Sequence, residues 1–125
     1  MKREIKFRAY SSHNHKMYPV SNIEWDIDGR IWVTADDGKN GIELIDEEAN
    51  LMQYAGREDK NKRQIYEGDI VQNEYGKVME VQYDPRSAVF GVGDYYFGTI
   101  GSGKILEVIG NIFENPDLLE VTEHD

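Results

Sequence analysis

The chain has 125 residues, a formal net charge of −10, 39% hydrophobic and 30% charged residues, and no cysteine. That length suits one domain or two small lobes sharing a core. The lack of cysteine excludes disulfides, thiolate metal sites and a cysteine nucleophile, and no apolar run approaches the length needed to span a membrane.

Two Trp, eight Tyr and four Phe offset the modest apolar fraction, because each ring can bury a large area. Twelve Gly and three Pro point to many turns and few long helices. Charge is unevenly placed: residues 1–21 sum to +4, 22–50 to −7, 57–63 to +2, 64–106 to −3 and 107–125 to −6.

Met1 to Lys6 has no apolar h-region, so no signal peptide is expected. Ile5, Phe7 and Ala9 alternate with Lys6, Arg8 and Tyr10, the period of a half-buried strand. Ser11 to Lys16 reads as a turn, and Pro19 keeps the return Met17 to Val20 at an edge or strand end. Ile23, Trp25 and Ile27 alternate with Glu24, Asp26 and Asp28, and Ile31, Val33 and Ala35 with Trp32, Thr34 and Asp36. Asp28-Gly29 between these runs signals a hairpin. Asp36-Asp37-Gly38 supplies the next turn, Ile42 to Ile45 a strand, and Asp46 to Asn50 a helical turn.

The chain is organised around residues 52–71. A strand over Leu51 to Ala55 meets Gly56, a charged crossing runs from Arg57 to Arg63, and Ile65 to Val71 re-enters a sheet. Gly68 can take φ > 0 there, and the Asp69 carboxylate can hold the turn. Later turns are expected at Asn73 to Gly76 and Asp84 to Arg86. Later strands are expected at Met79 to Tyr83, Ala88 to Val92, Tyr95 to Ile100 and Lys104 to Phe113. The last is apolar on both faces and is expected to be central or well covered, with a bend at Gly110. Asn115 and Pro116 read as N-cap and first residue of a short helical turn.

Many short strands with close turns predict an all-β fold. The expected arrangement is an N-terminal β-hairpin region over 1–63 packed with a small SH3-like barrel over 64–125. The barrel is entered through the structural turn at Gly68 and Asp69.

Several segments resemble the YopX family of small phage and prophage proteins. They are Ile5 to Ala9, Lys16 to Tyr18, Leu51 to Gly56, Asp59 to Asn61, Ile65 to Val71, Val108 to Pro116 and Leu118-Leu119. Ala55 and Arg57 stand where threonine and leucine are expected, and Phe113 where tyrosine is frequent. The resemblance implies a mostly β fold, a bacterial or phage cytoplasmic setting and self-assembly as one option. It implies no activity, substrate or cofactor.

Motifs with chemical meaning are sparse. Gly98 to Lys104 matches a phosphate loop up to its lysine, but Ile105 comes next and the run beyond it is strand-like, so a hairpin turn is expected. His13 and His15 have metal-like spacing without two further ligands, and Asp26 with Asp28-Gly29 lacks the distal Glu of a calcium loop. The carboxylate pairs Asp36-Asp37, Glu47-Glu48 and Glu67 with Asp69 are too common in so acidic a chain to mark a site, since acid–base work needs unlike environments in a cleft and spacing does not supply them. No catalytic, cofactor or metal residue is therefore assigned.

The expected function is non-catalytic protein–protein interaction, with exposed Tyr10, Trp32, Tyr95 or Tyr96 as anchors and an unnamed protein or a second copy as partner. A first alternative is nucleic-acid binding, with Arg57, Lys60, Lys62 and Arg63 meeting phosphates and Tyr54 and Tyr66 stacking on bases. A second is nucleic-acid mimicry by the row Glu24, Asp26 and Asp28.

Overall fold

The computed structural model describes residues 4–36, 41–86, 89–92, 95–96 and 105–119. The fold is mainly β, in two compact units: Ile5–Gln53, and Met1–Glu4 with Tyr54–Asp125. The division falls between Gln53 and Tyr54, ahead of the boundary expected at 63/64. Residues 54–63 belong with the second unit because their hydrogen bonds run to Leu106, Glu107 and Val108.

In the Ile5–Gln53 unit, alternating apolar residues build β1 (Phe7–Ser11), β2 (Lys16–Trp25), β3 (Ile31–Asp36), β4 (Gly41–Ile45) and the start of β5 (Ala49–Glu58). They pair antiparallel in the order β4-β3-β2-β1-β5. Ala9, Val33, Leu44 and Ala49 form the buried centre, with Val20, Ile23, Ile31, Ile42 and Leu51 packed against it. Full burial of the larger aliphatic side chains contributes about 1.5–3 kcal/mol each. A 3₁₀ turn over Asp46–Glu48 stands where a helical turn is expected. Ile5 does not join the core and is 61% exposed, because β1 pairing begins at Phe7.

Pro19 is not at a strand end, since β2 runs through it. It sits where β2 changes neighbours: Lys16 to Pro19 pair with β1, and Val20 to Trp25 pair with β3. A residue without an N–H suits a point with a partner on one side only. The register of β2 then shifts between Val20 and Asn22, a bulge at Ser21.

The second unit holds the end of β5, β6 (Gln64–Tyr66), β7 (Asp69–Gln72), β8 (Val78–Asp84), β9 (Val89–Val92), β10 (Tyr95–Tyr96) and β11 (Glu107–Asn111). The sheet order is β10-β9-β8-β7-β11, all antiparallel. Ile65, Val71, Met79, Val81, Val92 and Leu106 form its core, with Ala55, Phe90 and Val108 alongside. Among the described residues β10 and β11 are not paired, so the expected SH3-like closure is not among the observed pairings. Residues 117–119 are helical.

Two expectations change here. Gly56 does not end its strand: β5 continues to Glu58, and Gly56 at φ 81° sits in a bulge between the pairs Tyr54–Tyr66 and Glu58–Gln64. The supposed crossing is thus a hairpin whose turn spans only Asp59 to Arg63. Likewise β11 is last in the strand order rather than central, pairing with β7 alone among the described residues. Its register shifts between Val108 and Gly110. The turns expected at residues 37–38 and 98–104, and the strand residues 97–100, lie outside the described residues.

Candidate interaction surfaces

Among the described residues, three hairpins close on the same five-residue turn: Asp26 to Arg30, Asp59 to Arg63 and Asn73 to Lys77. In each, the first side-chain oxygen accepts the N–H of the third and fifth residues. The distances are 2.9 and 3.0 Å at Asp26, 2.9 and 2.8 Å at Asp59, and 2.9 and 2.9 Å at Asn73. The first N–H donates to the fifth carbonyl, and the fourth N–H to the first carbonyl. Asx side chains favour such turns because they hydrogen-bond backbone two residues on. The fourth residue has positive φ: 83° at Gly29, 82° at Gly76, and 67° at Lys62. A side chain there costs backbone energy that glycine avoids.

In the first hairpin, Asp26 Oδ2 also accepts from Trp32 Nε1 at 2.9 Å and Arg30 Nε at 3.0 Å. The Trp32 bond leads the causes that lower the Asp26 carboxyl to about 2. Arg30 lies 3.8 Å from Asp28, and Glu24 accepts from Asn22 at 2.8 Å. The three carboxylates therefore do not form a free acidic row. The anchors also differ from expectation. Trp32 is half-buried by its bond to Asp26, and half-buried Tyr10 shares a 3.4 Å hydrogen bond with His15. Trp25 is instead 69% exposed and Ile27 fully so, because both lie beyond the end of the core that holds Ile23. The Tyr95 and Tyr96 side chains lie outside the described residues.

The Asp59–Arg63 turn is tied to β11. Asp59, 4% exposed, accepts the Val108 N–H at 2.9 Å through Oδ2, while its Oδ1 holds the turn. Lys60 N–H donates to the Leu106 carbonyl at 2.8 Å, and Arg63 Nη1 to the Val108 carbonyl at 3.0 Å. Lys60 Nζ lies 3.8 Å from Glu107, which also accepts from Asn61 at 3.2 Å. Two of the proposed phosphate contacts, Lys60 and Arg63, thus serve the fold.

A cleft of about 530 Å³ opens beside this turn, lined by Tyr54, Arg57, Lys60 and Lys62 among others. Four of the six residues proposed for interaction therefore meet there. Tyr66 stands apart from the lining, 5.7 Å from the Tyr54 ring at a 48° tilt. Tyr54 is only 9% exposed, so its face is not offered to a base. Sequence reasoning missed Asp59 as the hub; its signal was the Asx turn pattern shared with Asp26 and Asn73.

At the next turn Gly68 has φ 86° and the Asp69 carboxylate accepts the Tyr66 N–H at 2.8 Å. Among the described residues no group of three or more His, Cys, Asp or Glu is placed to hold a metal ion. Nor is any helix among them long and apolar enough to cross a membrane. The phosphate-loop match lies outside the described residues, but the next described element is β11 rather than a helix.

The search of curated proteins found no match. Among solved structures, the fold is similar to the crystal structure of protein EF1440 from Enterococcus faecalis, with TM-score 0.65 and 23% identity over 94% of this chain and 99% of that one. At that identity the likeness speaks for the fold alone. The family model described as YopX protein matches residues 6–120, nearly the whole chain. With its two antiparallel β units in place, the chain belongs to the YopX family.

Proposed function

We propose that the chain is a non-catalytic phage or prophage accessory protein that acts in the bacterial cytoplasm through protein–protein contact, first of all with a second copy of itself. The phage and cytoplasmic setting rests on the family alone. The observation that carries the contact reading is the pair Trp25, 69% exposed, and Ile27, fully exposed, on the hairpin locked by Asp26. Aromatic anchors dominate contact energies, and a pre-set turn limits the entropy lost on binding. Isolated exposed aliphatic residues are ordinary, but a tryptophan at the end of β2 and an isoleucine in the fixed turn that follows are ready anchors. The non-catalytic part is supported by Asp59, whose carboxylate is committed to backbone N–H groups rather than poised as one of an unlike acid–base pair.

Sedimentation velocity over a concentration series tests the reading. Wild type should associate, and the Trp25→Ser, Ile27→Ser double variant should stay monomeric with an unchanged unfolding midpoint. Monomeric wild type throughout would remove self-association. Equal recovery of every protein partner by wild type and variant would remove this surface altogether.

A further inference from the structure

We propose that the cleft beside the Asp59–Arg63 turn binds a compact phosphate-bearing small molecule, held by the Arg57 guanidinium and the Lys62 ammonium. This site lies in the second unit and does not depend on the contact surface at Trp25.

Arg57 lines the cleft with most of its hydrogen-bonding capacity unused. Nη1 donates to the carbonyl of the adjacent Gly56 at 3.1 Å, while Nε is buried with no partner among the described residues. A guanidinium has five N–H donors in a fork that matches phosphate. The buried Nε is closed to a ligand as well as to water, so contact in the cleft falls to the outer guanidinium N–H groups.

Lys62 supplies the second observation. It occupies the left-handed position that the two sibling turns fill with Gly29 and Gly76. The strained choice places an ammonium at the cleft, and no carboxylate among the described residues lies within ion-pair distance of it. Strain held at one site while its siblings avoid it is a reason to look for function there. Lys60, by contrast, already faces Glu107.

Two carboxylates oppose the anion. Asp59 is offset by three backbone N–H groups, and Glu58 is solvent-exposed. The wider charge of −10 repels a long polyanion, whereas a small anion responds to the local cations. The buried Tyr54 ring removes the stacking face that a single strand would use. Both points favour a compact phosphate over a nucleic-acid chain.

The test is an NMR titration of the isotope-labelled full chain with inorganic phosphate, against chloride at matched ionic strength, with a nucleoside monophosphate and a single-stranded oligonucleotide as further arms. Saturable shifts confined to residues 56–63 are expected. Lys62→Gly, which relieves backbone strain, and Arg57→Lys, which keeps charge but loses the fork, should each weaken phosphate by about tenfold. Unsaturable shifts spread over many lysines would overturn the site, as would wild-type affinity in both variants. An oligonucleotide bound far more tightly than the monophosphate would overturn the compact ligand in favour of nucleic acid.

Discussion

The Asp59 carboxylate accepts the Val108 N–H at 2.9 Å, joining a hairpin turn to the strand at the end of the second sheet. With Lys60 N–H on the Leu106 carbonyl and Arg63 on the Val108 carbonyl, the turn covers a strand edge that would otherwise be open to pairing. One side chain thus shapes the turn and seals the sheet.

Asp59→Ala should therefore destabilise the protein by about 3 kcal/mol, since three backbone N–H groups lose their acceptor. Asp59→Asn should cost less. Asn73 shows that one amide oxygen suffices for the turn itself, but the amide NH₂ introduced by this change would set a donor against the Val108 N–H. Urea denaturation gives the two costs, and faster hydrogen exchange at Val108 in the Asp59→Asn variant would locate the loss.

Lys62→Gly should stabilise by about 0.5–1 kcal/mol, the left-handed penalty less the added chain entropy of glycine. Gly29→Ala should destabilise by about 1 kcal/mol on backbone grounds alone, because a Cβ there would meet nothing within 4 Å. Opposite signs in matched denaturation curves are the expected result.

Gly110 answers to space rather than to φ. A Cβ there would lie 2.6 Å from Asn115 Oδ1 and 2.9 Å from Asn115 Cβ, while the same Oδ1 accepts the Asn111 N–H. Gly110→Ala should cost about 2 kcal/mol. Adding Asn115→Gly should recover part of it by removing the obstructing side chain, which a double-mutant cycle would resolve.

Asp26 makes the first hairpin sensitive to acid. Its carboxyl lies at about 2, against an ordinary 3.8. A lowered folded value means that its contribution is complete above the ordinary value and is lost as pH falls through about 2. Trp32→Phe removes the leading cause, so the Asp26 titration should move up toward its ordinary value and the acid dependence between these limits should shrink. Carboxyl NMR titration of both proteins measures this directly.

Local chemistry was legible in the sequence. Period-two alternation marked most strands, and the Asp28-Gly29, Gly68-Asp69 and Asn73 to Gly76 turns arise from φ preferences and Asx bonding within a few residues. Four of the six proposed interaction residues meet at one cleft because they flank a single hairpin. What tertiary structure alone decided is which neighbour each strand has and where the core ends. Alternation places Trp25 and Ile23 on one face, but only the extent of packing leaves Trp25 in solvent. An apolar run at residues 104–113 reads as central or well covered; β11 is last in the order, with the Asp59 turn along its other edge. Arg57, Lys60, Lys62 and Arg63 look alike in the sequence; contacts to residues more than 40 positions away distinguish Lys60 and Arg63, which brace the fold, from Arg57 and Lys62, which line the cleft without such contacts among the described residues.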